Sequence, residues 1–313
     1  MDIGIFVPLL LPLVVWPFVR FLRAGVSPEF ASWLFTAAAV VLSIGSTVVL
    51  ALLAFAAVAP EPAVAQLSGW TPQTPWSVEA AVPVGVCCGA ALLVIGLSAL
   101  TIGCRFLWWT VRLRHDMERA AGHEGLVVIP NDDPLAVALP FRGGRIVVSR
   151  GLLAALDSRE TRALLAHERA HLRCRHHLFL AAVSLSTVLN PLVWPLRSAA
   201  VFALERWADE LAAQQVGDRR VVATAVAKAA LASTQQTRFA LAAAGGSVPR
   251  RVSALLQAPP PRGDWRSLTA LCVAATVAIT AWSAQATVEA AADLHAGIEI
   301  ATSSAGHHPR PTA

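Results

Sequence analysis

Four uncharged apolar runs constrain this chain more than any other feature: Ile3–Val19, Ala31–Ala59, Ala80–Cys104 and Ser267–Val288. About 20 apolar residues in a helix cross the hydrocarbon layer of a bilayer. In lipid every backbone polar group must be satisfied inside the protein, so such runs are expected as helices. The first run is short and carries Pro8, Pro12 and Pro17, which predicts a kinked helix whose freed carbonyls are satisfied by its neighbours. It is a poor cleavable signal peptide, because its one early charge is Asp2 and no small-residue cleavage site follows. Only 14% of the 313 residues are charged, against about 25% in an ordinary soluble domain. A chain of this length cannot hide the excess in a water-soluble core. The expected fold class is therefore an α-helical multi-pass membrane protein of about four spans.

The basic residues set the expected orientation, since cytosolic loops collect Lys and Arg. The first loop holds Arg20 and Arg23, and the second, Pro60 to Glu79, holds neither Lys nor Arg. Residues 105–266 hold 22 basic and 13 acidic side chains, while the remainder holds 3 and 7. This predicts three transmembrane helices in 1–104, a cytosolic domain in 105–266, a fourth span in 267–288 and a short extracytoplasmic tail in 289–313. The N-terminus is also expected outside. The basic charge is read as this orientation bias rather than as nucleic-acid binding, because no binding motif accompanies it. A fifth uncharged run, Leu178–Leu196, is interrupted by Asn190-Pro191 and by Pro195. Crossing alone, it would carry Arg206, Arg219, Arg220, Arg250 and Arg251 outside, so it reads as a buried or re-entrant hairpin of the cytosolic domain. The five cysteines have neither disulfide nor zinc-ribbon spacing.

Within 105–266, Leu126–Ile129 is a β-branched run closed by Pro130. Leu135–Phe141 and Arg145–Ser149 flank Arg142-Gly143-Gly144 and read as a hairpin. Asp157-Ser158-Arg159-Glu160 is a capping box that starts a helix running to about Arg175. On that helix lies His167-Glu168-Arg169-Ala170-His171. Histidines at i and i+4 share a helix face, so both imidazoles can reach one tetrahedral Zn²⁺. Glu168 follows the first of them, where its carboxylate can take the proton of an attacking water. Composition alone produces this pattern in roughly one such chain in a hundred. A site of this kind needs a third protein ligand. Phe202–Val216 is helical by pattern and carries Glu205-Arg206-Trp207-Ala208-Asp209. Glu205 and Asp209 also share a face. Glu205 can complete a His₂Glu set, and Asp209 can accept the remaining N–H of a ligating histidine. Arg206 should point off that face. His176 and His177 are expected to flank the helix end at the membrane surface, and Cys174 to be simply packed.

Ser149-Arg150-Gly151-Leu152-Leu153, the motif Leu165–His171, Asn190-Pro191 and Glu205–Asp209 together resemble the BlaR/MecR-type integral-membrane metallopeptidases. The HtpX/Ste24-type proteases share the motif core more distantly. The resemblance spans residues 1–288 and implies an α+β zincin-like metallopeptidase domain, Zn²⁺ as cofactor and a protein substrate such as a cytosolic transcriptional repressor. HtpX/Ste24-type enzymes imply membrane-protein quality control instead, and a catalytically silent zinc-bound scaffold is a third reading. The chain departs from the β-lactam sensors in having about 25 residues after Val288 and no S-x-x-K motif, so β-lactam sensing is not expected. Substrate docking is expected as an added strand on the hairpin Leu135–Ser149, blocked by proline at Val137 or Val147.

Overall fold

A computed structural model of the chain describes residues 7–58, 78–119, 125–140, 144–234 and 247–258, with scattered helical positions between 270 and 289. Most of the second loop, the Arg142-Gly143 part of the expected turn, much of the fourth apolar run and nearly all of the tail lie outside the described residues. The chain is mostly helical. Its first part comprises α1 (Val7–Gly25), α2 (Pro28–Val58) and α3 (Val78–Arg119). Among the described residues two helices are long and apolar enough to cross a membrane, over Pro28–Phe55 and Pro83–Trp108. The apolar parts of α1 and of the later helix His176–Leu189 are shorter. Leu93, Leu97, Leu100, Phe106 and Trp108 of α3 all face outward.

Three strands follow, β1 (Leu126–Ile129), β2 (Ala136–Leu139) and β3 (Arg145–Ser149), in the order β1-β3-β2. β2 and β3 form the expected antiparallel pair, with Leu139 opposite Arg145, and Gly144 has the positive φ of 80° that the turn requires. β1 adds in parallel to the other side of β3. β3 is thus central, and of the two hairpin strands only β2 is an edge. The Ser149 hydroxyl then accepts from the backbone N–H groups of Leu135 and Leu152, joining the sheet to α4 (Arg150–Ala155). A Cβ on Gly151 would lie 1.9 Å from the Asp132 carbonyl oxygen, so this helix start admits no side chain there.

The remaining helices are α5 (Ser158–Arg173), α6 (His176–Leu189), α7 (Trp194–Val216), α8 (Arg219–Thr234) and α9 (Ser247–Leu256). Arg175 links α5 to α6 in a left-handed conformation, φ 53°, ψ 41°. The fifth apolar run turns back on itself. α6 ends at Asn190, Pro191–Val193 forms one 3₁₀ turn, and α7 returns antiparallel. This hairpin packs on α1 and α2 through Val183, Val193, Leu196, Ala199 and Ala200 against Leu11, Val15, Phe35 and Leu42. Ile279 from the fourth apolar run joins the same core. Small residues on α7 let the helix axes approach closely.

The tip of the hairpin is fixed by polar groups whose origin is legible in the chain. Pro12 has no N–H, so the Pro8 carbonyl one turn earlier has no helical donor. The Ser46 hydroxyl of α2 donates to that carbonyl at 2.9 Å and accepts from Asn190 Nδ2 at 2.8 Å. Trp16 Nε1 donates to the Leu192 carbonyl at 2.9 Å. Ser46 lies about 27 Å along α2 from Pro28 at 1.5 Å per residue. The hairpin therefore accompanies α2 over most of its length.

Candidate metal centre

α5 begins where its sequence dictates. The Asp157 carboxylate accepts from the N–H groups of Arg159 and Glu160, and Glu160 Oε2 accepts from the Asp157 N–H. Lys228 of α8 then pairs with Glu160 at 2.7 Å and ties the two helices together. α5 packs on α7 and α8 through alanines, among them Ala163, Ala166, Ala212 and Ala213. Close packing of these small faces brings the polar residues of α5 and α7 together.

His167, His171 and Glu205 each offer one ligand atom within 4.8 Å of the others. The two Nε2 atoms are 3.1 Å apart, and each lies 3.6 Å from one oxygen of Glu205. Two imidazoles and one carboxylate are the donor set of an open zinc site with room for a further ligand. The convergence of the three atoms fits such an ion. Asp209, fully buried one turn after Glu205, places Oδ1 3.0 Å from His167 Nδ1. Arg206 turns away to Glu210, 3.3 Å distant.

Sequence reasoning missed Arg251 of α9. Its Nε and Nη2 donate to both oxygens of Asp209 at 2.8 and 2.7 Å, and Nη1 lies 2.7 Å from Glu205 Oε2. In the sequence it stands only as one basic residue among many. No spacing rule links α9 to α5 or α7, so nothing in the sequence singles it out.

The charges divide unequally. Burial disfavours charged His167, yet the Asp209 and Glu205 carboxylates beside it outweigh burial and raise it to about 9. Burial lowers His171 to about 4, with the His167 charge adding to the effect. Glu205 and Asp209 are held well below the usual carboxylate range despite burial. His167 and Arg251 do this for Glu205, and Arg251 with His167 for Asp209. Glu168 moves the other way, raised chiefly by burial and also by the Glu205 charge.

Glu168 lies beside the edge strand, where the Ala138 backbone N–H favours its charged form. Side alternation along β3 explains this. Ile146 N–H bonds to Gly125, just before β1, and Ser149 N–H bonds to Leu135, just before β2. Hence Leu135, Val137 and Leu139 turn their backbone groups inward, and Ala136 and Ala138 turn theirs outward. The expected proline probes at Val137 and Val147 are corrected by this register, because both residues belong to the internal ladder. A cavity of about 260 Å³ opens beside Glu168, lined by Leu164, Val226, Ala229 and Val248 among others, with Glu205 and Arg251 at its wall.

His176 also departs from expectation. It is fully buried rather than at a surface, with Nδ1 2.9 Å from His171 Nδ1. His177 is partly buried, and Cys174 is a partly buried free thiol. His307-His308 lies outside the described residues.

No curated protein and no solved structure matches the chain. Residues 117–203 match the profile of Peptidase family M48. The matched stretch opens at the end of α3, includes the sheet and both histidines of α5, and stops two residues before Glu205. From the end of α3 into α7, the chain is therefore similar to the metallopeptidases of Peptidase family M48.

Proposed function

We propose that this chain is a membrane-embedded zinc metallopeptidase that hydrolyses peptide bonds of a protein substrate. The observation that carries the reading is the convergence of His167, His171 and Glu205 beside Glu168. Zn²⁺ on those three residues supplies Lewis-acid polarisation of the attacking water and the scissile carbonyl. Glu168 takes the proton of the water and delivers it to the leaving amine, and its raised pKa suits it to both steps. Asp209 orients His167, and Arg251 keeps Asp209 and Glu205 in place. The outward N–H and C=O groups of Ala136 and Ala138 receive an extended substrate segment as an added strand. With three protein ligands and a base beside them, the arrangement suits turnover better than a closed structural site.

Residues 105–266 are assigned to the cytosol by their basic charge, with the N-terminus and the tail 289–313 outside and 267–288 as the last span. The α6–α7 hairpin enters and leaves on one side, so it keeps the residues after it on the side of α5. One hairpin, rather than two full spans, separates the histidines from Glu205. That favours the BlaR/MecR-like arrangement, and with it a cytosolic transcriptional repressor as substrate, over HtpX/Ste24-like quality control.

The test uses the full chain in detergent with an unfolded protein such as casein. Wild type should cleave, lose cleavage to a chelator and regain it with zinc. Glu168→Gln should retain zinc and lose activity by about 10²–10⁴-fold, the usual worth of a positioned base. Wild-type turnover by Glu168→Gln would refute the peptidase mechanism. Proline at Ala138 should impair cleavage with zinc retained, and normal cleavage there would remove only the strand-docking step.

A further inference from the structure

We propose that His176 is a positioning residue for His171, an uncharged counterpart to the Asp209 that serves His167. The inference rests on the metal centre proposed above. His171 directs Nε2 toward His167 Nε2, 3.1 Å away, and toward Glu205, 3.6 Å away. A neutral imidazole that ligates through Nε2 carries its hydrogen on Nδ1. That Nδ1 lies 2.9 Å from His176 Nδ1, so His171 donates and His176 accepts. The His176 hydrogen then belongs on Nε2, an atom that is buried and has no hydrogen-bond partner among the described residues. Since His176 meets the far nitrogen of His171, it stands behind this histidine and is not a fourth ligand.

The fold holds His176 in that place. The left-handed turn at Arg175 ends α5 and aims the first residue of α6 back beneath it. Trp207 and Phe179 close around the ring, their centroids 4.9 and 6.4 Å from its own. His176 is completely buried. The two histidines of one site are thus oriented by chemically different partners. His167 leans on a carboxylate that is itself clamped by Arg251. His171 leans on a neutral ring that fixes its tautomer and orientation without adding charge to the site.

The experiment measures zinc affinity by chelator competition, using the full chain in detergent and the Glu168→Gln background so that turnover plays no part. His176→Asn keeps an acceptor near the place of Nδ1 and should bind zinc within about threefold of the parent. His176→Gln moves the acceptor outward and His176→Leu removes it, and each should weaken zinc by about 10–100-fold. Parent-like affinity in Gln and Leu would overturn the inference, and so would an equal loss in Asn and Gln, which marks a packing role. If the Leu variant fails to fold, the contrast between Asn and Gln decides. A parent that binds no zinc would overturn the metal centre as well, whereas parent-like zinc in His176→Gln would remove this inference alone.

Discussion

The α6–α7 hairpin has two ends of opposite chemistry. At its tip, Asn190, Ser46 and the Pro8 carbonyl form a short chain of neutral hydrogen bonds inside an apolar packing, and Trp16 adds a separate, more exposed one to the Leu192 carbonyl. At its base, Glu205 and Asp209 meet His167, His171 and Arg251, a cluster dominated by ionisable groups. The tip answers a local need, because a proline freed a carbonyl and a turn exposed an amide among apolar neighbours. The base has no such need, since buried charges are often no more stabilising than apolar packing of the same shape. The contrast teaches that the polar groups at the tip serve the fold, while those at the base are arranged for chemistry.

The largest expected difference between the ends is in their response to pH. Zinc requires neutral imidazoles. In the metal-free site His167 keeps its proton up to about pH 9, and His171, lowered to about 4, is already neutral near pH 7. Between pH 6 and 9 each zinc should therefore displace one proton. Apparent affinity should climb about tenfold per unit, roughly a thousandfold in all, and flatten above pH 9. Titration calorimetry in buffers of different ionisation enthalpy counts that proton. The hydrogen bonds at the tip contain no group that titrates there.

Truncation should rank the same way. Arg251→Met strands the buried carboxylate of Asp209 and the partly buried one of Glu205, and should cost about 3–5 kcal/mol, measured by denaturation of the detergent-solubilised chain. Asn190→Leu leaves one Ser46 interaction unmade and should cost about 1–3 kcal/mol without changing zinc affinity. Trp16→Phe removes the bond to the Leu192 carbonyl and should cost about 1 kcal/mol by the same assay. A tip variant that weakens zinc as much as Arg251→Met would erase the distinction between the two ends.

Much of the base was legible because its rules are local. A capping box sets the start of α5, and i, i+4 spacing pairs His167 with His171 and Glu205 with Asp209. The hairpin β2–β3 followed from its glycines in the same way. Its role as edge or centre did not, because β1 joins through a parallel contact that no turn announces. The places of Arg251 and His176 at the site are not legible for a related reason. Arg251 reaches the site from another helix, and His176 by a left-handed turn at a non-glycine residue, which sequence does not forecast. The break of the fifth apolar run is legible from Asn190-Pro191, but its depth beside α2 emerges only from the Asn190–Ser46 contact, 144 residues apart.

The metal centre is the central claim, and X-ray absorption of the zinc-loaded full chain in the Glu168→Gln background tests it most directly. The account predicts one zinc per chain, with two imidazoles and oxygen ligands at about 2.0–2.2 Å and no sulfur. His167→Ala or Glu205→Ala should lose the ion. A sulfur shell, or a spectrum unchanged in both alanine variants, would contradict the assignment of His167, His171 and Glu205.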